Sequence, residues 1–180
     1  IKERLFHNIM ITFGGGDPQA ITLKCLDALE LIPAADLSVQ VIIGPAYSND
    51  LISEITLHAA RSAHNVMLVQ APSSLARTIE WADIALSGTG LTKYELAAMG
   101  TPSVQISIDD EHAYVNEEFS KMGTAIDLGV SSDLMAREIS DALQKLIADA
   151  DARQKMSERG KRLIDGKGAC RVTESLRSIH

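Results

Sequence analysis

The sequence NIMITFGGGDP at residues 8–18 indicates how the chain begins to fold. Its first part, residues 8–14, is rich in the apolar and β-branched residues of a buried strand. The three glycines permit positive φ angles, which a tight turn after the strand would require. Asp17 is a favourable helix N-cap and Pro18 a favourable first helical residue, so we expect a helix from here to about Ile32. A strand, a glycine turn and a helix in this order predict the first unit of a parallel α/β sheet.

The same alternation of strands and helices continues along the chain. Five further strands are expected at residues 38–43, 65–69, 84–87, 103–108 and 124–128. Helices are expected at residues 50–62, 73–81, 92–99, 111–122, 151–164 and 169–179. Ser131 and Ser132 are expected to cap one more helix, which is long and amphipathic. The predicted fold is therefore a doubly wound, Rossmann-like parallel sheet of about six strands, a class that binds ligands at the carboxyl ends of its strands.

Composition excludes several classes of protein. The chain has 180 residues, of which 46% are hydrophobic and 23% charged, as in an ordinary globular domain. Lys and Arg number 17 and Asp and Glu 24, and this net charge of −7 argues against a partner such as nucleic acid or an anionic membrane. No apolar run approaches the roughly 18 residues that a membrane span requires. With only two cysteines, Cys25 and Cys170, we expect no disulfide framework and a cytoplasmic location.

The first glycine turn, formed by Gly14, Gly15 and Gly16, is a candidate phosphate-binding element. Its main-chain N–H groups can approach a ligand closely, and the helix behind it would add unpaired N–H groups and a partial positive charge. The turn lacks the Gly-Lys-Ser/Thr ending of a P-loop and the third glycine of the dinucleotide fingerprint. From the residues alone, a tight turn without a ligand is an equally good interpretation.

A second glycine turn, SGTG at residues 87–90, follows the fourth expected strand and precedes a helix. It provides another amide-rich element at the same edge of the sheet. Glu95 lies about one turn inside that helix, where its carboxylate could accept two hydrogen bonds from the vicinal diol of a ribose. The alternative is a glutamate that only complements the helix dipole. Two turns converging beside a diol acceptor favour a nucleotide site.

Residues 13–18 together with residues 87–103 resemble the C-terminal half of the GT-B superfamily. Within it, they are most similar to the UDP-sugar hydrolases of pseudaminic acid biosynthesis and to related spore-coat polysaccharide biosynthesis proteins. Those proteins have FGGSDP where this chain has FGGGDP, and a motif close to SAGGSTTWELCALGLPS aligns without gaps to residues 87–103. Residues 125–129 and 165–169 are also similar, so the resemblance spans nearly the whole chain.

The resemblance implies a binding site for a UDP-sugar. Five residues would lie beside the diphosphate: Gly14, Gly15, Gly16, Gly90 and Leu91. Thr92 would belong to the same substrate-binding site. Glu95 would bind the ribose hydroxyls, and main-chain groups of Gln70 and Ala71 would bracket the uracil. The family has serine at the positions of Gly16 and Leu91, so this chain lacks those side-chain contacts.

Asn116, near the start of the helix expected at residues 111–122, matches an asparagine that faces the sugar in the similar hydrolases. By that likeness it is the candidate catalytic residue, because a neutral amide can bond sugar hydroxyls without the cost of burying a charge. An exposed helical asparagine without such a role is the alternative. His112 is interpreted as a solvated residue of the helix start. Asp109, Asp110 and His112 lack a clear metal-ligand spacing, so neither a metal nor a cofactor is expected.

The function that the resemblance implies is hydrolysis of a UDP-linked amino-deoxy sugar in surface polysaccharide biosynthesis. Residues 1–168 would form the Rossmann-like UDP-sugar-binding domain, and residues 169–180 a helix that crosses back to a partner domain. The chain begins at Ile1 beside a charged stretch, so we expect a segment of a longer protein. The general base would be a histidine of an N-terminal Rossmann-like domain outside this chain, without which we expect no catalysis. The alternatives are the donor-binding half of a glycosyltransferase and a non-catalytic scaffold of the same fold.

Overall fold

One sheet of six parallel strands forms the centre of the computed structural model, which describes residues 7–32 and 37–178. The strands are β1 (His7–Thr12), β2 (Leu37–Ile43), β3 (Asn65–Gln70), β4 (Ile84–Ser87), β5 (Ser103–Ser107) and β6 (Ile126–Val130). Their spatial order is β3-β2-β1-β4-β5-β6, so the direction of winding reverses between β1 and β4. In open α/β sheets the crevice at such a reversal is the usual ligand site.

Helices cover both faces of this sheet. They are α1 (Ile21–Leu29), α2 (Asn49–Arg61), α3 (Ala76–Trp81), α4 (Thr92–Met99), α5 (Asp110–Lys121), α6 (Ala136–Ala148), α7 (Ala150–Leu163) and α8 (Gly168–Arg177). The predicted fold class is confirmed, and each strand and helix expected from the sequence is present. The predicted bounds of β4 and α4 agree with the structure to the residue.

The hydrophobic core lies on both faces of the sheet because alternate strand residues point in opposite directions. On the larger face, Ile9 and Ile11 pack with side chains of α1 and α6, including Leu29 and Leu143. The smaller cluster on the other face consists of Met10, Ile42, Ile79, Ala85 and Leu96. Because the strands are buried on both faces, their sequences are continuous apolar runs and do not alternate between apolar and polar residues.

The start of α1 differs from the prediction. The helix begins at Ile21, three residues beyond Pro18, and its N-cap is Ala20 in the left-handed conformation with φ 51°. Asp17 is buried and still caps the helix, because its carboxylate accepts hydrogen bonds from the main-chain N–H groups of Ile21 (2.9 Å) and Thr22 (2.7 Å). The prediction that Pro18 is the first helical residue is therefore wrong.

Two further boundaries also differ from expectation. Ser131 and Ser132 belong to a short 3₁₀ turn, and α6 begins only at Ala136, where Glu138 accepts a hydrogen bond from the N–H of Met135 (2.9 Å). β6 begins two residues later than predicted, since the hydroxyl of Thr124 bonds back to the end of α5. In both cases a polar side chain bonds to a nearby main-chain group: Glu138 to the N–H of Met135, and Thr124 to the carbonyl of Phe119.

The last helix, α8, stands apart from the core. None of its side chains is buried, and Val172 and Leu176 are among its exposed apolar residues. Residues 1–6, 33–36 and 179–180, which include the charged N-terminal stretch and the expected last residue of this helix, lie outside the described residues. Within the described residues, no helix combines the length and the apolar character needed to cross a bilayer.

Candidate anion-binding site at the ends of two neighbouring strands

The two glycine turns lie side by side. β1 pairs with β4 in register, and their last residues, Thr12 and Ser87, are direct partners. Beyond these residues the turns line one cavity of about 310 Å³, which we call the turn cavity. Its walls are Thr12, Phe13, Gly14, Gly15, Gly16, Pro18, Gly88, Thr89, Gly90, Thr92, Ile108 and His112. The structure therefore brings together four of the five residues that the sequence placed beside a diphosphate, along with Thr92.

The glycines of the turns leave room above the main chain. Gly14 has a φ of +80°, and a Cβ added at Gly14, Gly15 or Gly90 would meet no atom within 4 Å. Gly44, in contrast, lies directly against the first turn, where a Cβ would collide with the carbonyl oxygens of Gly14 and Gly15. The N–H of Ala46 also donates to the carbonyl of Gly15 at 2.7 Å. The first turn is thus supported from below by the loop after β2 and open on its outer side.

Three of the helices, α1, α4 and α5, begin beside the turn cavity, and they differ in whether a side chain caps their N-termini. The first N–H groups of α1 are occupied by Asp17, so this helix does not offer the unpaired amides expected from the sequence. At α5, Asp109 accepts a hydrogen bond from the N–H of His112 (2.9 Å). In the described part of the chain, no side chain caps α4, which begins at Thr92 in the wall of the turn cavity. The free helix terminus at this site is therefore that of α4.

A second cavity adjoins the turn cavity between α4 and α5. It has a volume of about 440 Å³, and we call it the α4–α5 cleft. Its walls are Thr89, Gly90, Leu91, Lys93, Tyr94, Glu111, His112 and Val115, three of which also line the turn cavity. Leu91 is 80% exposed at its edge. Leu91, the fifth predicted diphosphate residue, therefore lies in the adjoining cleft and not in the turn cavity.

His112 lines both cavities and was undervalued by sequence reasoning. Its Nδ1 lies 2.6 Å from Oδ1 of Asp109, three residues earlier in the chain. The hydrogen bonds from the main chain and ring of His112 lower the pKa of Asp109, so this carboxylate stays charged and orients the imidazole. The i, i+3 spacing of the two residues at a helix start was the signal available in the sequence.

Asn116 lies beneath this edge and has no exposed surface. Its Nδ2 donates to Oγ of Ser107 (2.9 Å), and its Oδ1 accepts a long hydrogen bond from Nζ of Lys93 (3.4 Å). The interpretation of Asn116 as an exposed helical residue is therefore wrong. The side chain of Asn116 would have to become exposed before it could contact a sugar, because it is buried and hydrogen-bonded to Ser107 and Lys93.

Lys93 was missed by sequence reasoning and is 2% exposed, although it lies in the wall of the α4–α5 cleft. Its Nζ lies 5.6 Å from the ring centroid of Tyr94 and 5.4 Å from that of Phe119, within cation–π range. Burial lowers the pKa of Lys93, and the negative charge of Asp127 opposes that shift. The helical pattern around Lys93 gave no sign that a cation would be buried.

Unpartnered polar atoms lie in the same layer of the structure. Thr12, Ser87 and Gln105 are register neighbours across β1, β4 and β5, and all three side chains are buried. Oγ1 of Thr12, Oγ of Ser87 and Oε1 of Gln105 have no hydrogen-bond partner among the described residues. Buried polar atoms in this position are normally satisfied by water or ligand, and Thr12 opens onto the turn cavity.

The remaining predicted site residues lie outside the walls of these two cavities. Glu95 is exposed on α4, one helical turn after Thr92, so its carboxylate is accessible to solvent. Gln70 ends β3, and Ala71 follows it in the left-handed region with φ 35°. Both are exposed at the same edge of the sheet. Within the described residues, no group of three or more His, Cys, Asp or Glu side chains could hold a metal ion.

Comparison with known proteins identifies relatives and the fold. No protein-family model matches the chain. It is 24% identical over 174 residues to the spore coat polysaccharide biosynthesis protein SpsG of Bacillus subtilis, a match covering 96% of this chain and 50% of SpsG. It is also 31% identical over 102 residues to the UDP-N-acetylglucosamine–N-acetylmuramyl-(pentapeptide) pyrophosphoryl-undecaprenol N-acetylglucosamine transferase of Acidithiobacillus ferrooxidans, covering 54% of this chain and 28% of the transferase.

Among solved structures, MurG of Acinetobacter baumannii superposes with a TM-score of 0.72 at 17% identity, over 86% of this chain and 45% of MurG. The chain is therefore homologous to SpsG and has the fold of a GT-B glycosyltransferase domain. It spans about half the length of SpsG and less of the transferase.

Proposed function

We propose that this homologue of SpsG is the donor-binding domain of a GT-B glycosyltransferase that uses a UDP-sugar in polysaccharide biosynthesis. The observation that carries the proposal is the turn cavity, in which two glycine turns and the free N-terminus of α4 converge. Main-chain N–H groups supply the donors, so an acidic chain can bind a diphosphate without a cluster of lysines. The name of the Acidithiobacillus transferase specifies UDP-N-acetylglucosamine, which supports UDP as the nucleotide.

The diphosphate would lie across both turns. Amides of Gly14, Gly15 and Gly16 would donate from one side, and amides of Gly90 and Thr92 from the other. The uncapped dipole of α4 would favour the negative charge, whereas Asp17 and Asp109 disfavour it at the other two helices. His112, oriented by Asp109, would reach the ligand from the opposite wall.

The other parts of the ligand follow from this placement. The ribose would lie beside Glu95, whose exposed carboxylate can accept hydrogen bonds from both hydroxyls. The uracil would extend toward Gln70 and Ala71 at the end of β3. Asn116 would act by positioning its neighbours, since its side chain is buried against Ser107 and Lys93.

Hydrolysis of a UDP-linked amino-deoxy sugar is the second candidate function. Both reactions need the same nucleotide site, and the observation favouring hydrolysis is the match to SpsG along 96% of this chain. In either case we propose that a second Rossmann-like domain completes the active site and that the exposed helix α8 contacts it. Product analysis on the complete protein would separate transfer to an acceptor from release of free sugar. We propose the cytoplasm as the location, where nucleotide-sugars would be available.

Calorimetric titration of the chain with UDP, UMP, ADP and CMP tests the proposal. We expect saturable binding of UDP, weaker binding of UMP because one phosphate is lost, and weaker binding of ADP and CMP because the base differs. Absence of binding to all four nucleotides would contradict the proposal and support a scaffold of the same fold.

A further inference from the structure

We propose that Lys93 is an electrostatic positioning residue of the diphosphate site, holding a buried positive charge beneath the second glycine turn. The inference rests on the proposed function, since it concerns the ligand of the same site. Lys93 is the second residue of α4, immediately after Thr92, which lines the turn cavity. It also lies in the wall of the α4–α5 cleft, with Gly90 and Leu91 of the second turn.

Few charged side chains line the two cavities, so the positive charge of Lys93 has a large share in the attraction of an anionic ligand. Among the described residues that line them, Lys93 and His112 are the basic ones, and Glu111 is the acidic one. Asp109 and Asp110 lie next to Glu111 at the start of α5. In a chain of net charge −7, a positive charge at this edge would add to the attraction that the main-chain N–H groups exert on an anionic ligand. A buried charge is screened less by salt than an exposed one, so Lys93 acts more strongly per charge than a surface lysine.

The position of Lys93 is unfavourable for stability alone. A cation near the N-terminus of a helix faces the positive end of the dipole. Among the described residues its ammonium has one long hydrogen bond, to Asn116 at 3.4 Å, and it otherwise lies beside the paired rings of Tyr94 and Phe119. A neutral side chain of similar volume would fill this space at lower cost. Such costly buried charges are typical of functional sites.

The groups that face Lys93 leave part of its charge uncompensated. Asp127 on β6 is its acidic neighbour, but one oxygen of Asp127 accepts a hydrogen bond from the N–H of Gly129 (3.0 Å). Burial and the nearby charge of Glu117 on α5 raise the pKa of Asp127. Among the described residues, Asp127 forms no ion pair with Lys93. Asn116, Tyr94 and Phe119 contribute no charge at neutral pH. A diphosphate in the adjoining cavity would supply the missing negative charge.

The test compares phosphate-bearing and phosphate-free ligands. We would titrate the chain and Lys93→Met with UDP, inorganic pyrophosphate and uridine, using Lys121→Met as the matched control. Lys121 is an exposed lysine of α5 paired with Glu117 and Glu118. We expect Lys93→Met to lower the affinity for UDP and for pyrophosphate tenfold or more, and to change the affinity for uridine less than twofold. Only the phosphates would interact with the charge of Lys93. Lys121→Met should change the affinity for each of the three ligands less than twofold.

Several outcomes would overturn the inference. If Lys93→Met binds UDP as tightly as the unaltered chain, or loses uridine and UDP equally, Lys93 has no specific effect on the phosphates. Thermal unfolding would check that the variant is folded, and Lys93→Gln provides a neutral polar replacement if the methionine variant is not. If the unaltered chain binds neither UDP nor pyrophosphate, the proposed function itself fails and the role of Lys93 fails with it.

Discussion

The main-chain N–H of Gly88 donates to the carbonyl of Thr12 at 3.2 Å. This bond extends the pairing of β1 with β4 to the residue that follows β4, and it joins the base of one glycine turn to the base of the other. The ring of Phe13 lies against Gly88 closely enough that a Cβ there would be 3.3 Å from it. The two turns are therefore held as one unit at the point where the winding of the sheet reverses.

Filling the turn cavity should weaken nucleotide binding without unfolding the chain. Gly90→Leu places a side chain into open space, and the backbone there does not have a positive φ. We expect the free energy of unfolding to change by less than about 0.5 kcal/mol and UDP affinity to fall at least tenfold. Gly168→Leu is the matched control, because Gly168 also faces open space but lies on α8. If Gly90→Leu binds UDP as tightly as the unaltered chain does, the ligand binds outside the turn cavity.

Removal of the carboxylate of Glu95 tests the ribose contact. Loss of a charge-assisted hydrogen bond in Glu95→Ala should weaken UDP by about 1.5–3 kcal/mol. Calorimetry measures the change, and Glu174→Ala on α8 serves as the control for removal of an exposed carboxylate. We expect both variants to keep the melting temperature of the unaltered chain. If Glu95→Ala has a lower melting temperature than the unaltered chain but the same affinity for UDP, Glu95 has a structural role instead.

Asp17 should be important for stability rather than for binding. Asp17→Ala removes two hydrogen bonds to the first N–H groups of α1 from a buried position, so we expect a loss of roughly 2 kcal/mol. Urea denaturation measures this loss. Asp149→Ala provides the comparison, since Asp149 caps α7 from an exposed position and should cost at most about 1 kcal/mol. Similar losses in the two variants would mean that burial of Asp17 adds nothing to the cap.

The buried lysine should make stability depend on pH in the alkaline range. The pKa of Lys93 is lowered from 10.5 in the folded chain, so between its folded and unfolded values the unfolded state binds more protons. Stability therefore rises with pH in that window, and the penalty of burying the charge is largest below it. At pH 7 we expect Lys93→Met to be more stable than the unaltered chain by roughly 1 kcal/mol or more. That difference should shrink as the pH rises toward 10.5.

The pKa of Lys121 is shifted in the opposite direction to that of Lys93, so Lys121 is the control for this pH dependence. Its hydrogen bonds with Glu118 and Glu117 raise its pKa, so its contribution is fully present below 10.5 and is lost only above it. Between pH 7 and 10.5 the stability difference between Lys121→Met and the unaltered chain should stay constant. A constant difference for Lys93→Met over the same range would contradict the lowered pKa of Lys93.

The sequence predicted the architecture well because hydrophobic periodicity and glycine turns are local signals. The bounds of β4 and α4, and the adjacency of the two turns, follow from such signals and from the rules for parallel sheets. The start of α1 was predicted too early because Asp17 caps from three residues before the N-cap Ala20, an arrangement that a rule for adjacent residues does not describe.

The buried polar layer could not be predicted from the sequence. Lys93 and Asn116 lie 23 positions apart on two helices, and both are charged or polar residues in helices with many exposed neighbours. Only the packing of α4 against α5 places one against the other. Long-range contacts of this kind leave no periodic trace, so the sequence offered Asn116 either a sugar-facing role or an exposed helical position, and it gave no role to Lys93.

Amide chemical shifts during a titration with UDP test the central proposal most directly. In ¹H–¹⁵N spectra of the chain, the main-chain N–H signals of Gly14, Gly15, Gly16, Gly90 and Thr92 should shift together and saturate at the same UDP concentration. Shared saturation is expected because one diphosphate would contact both turns. Shifts confined to one turn, or centred elsewhere in the chain, would contradict a diphosphate held between them.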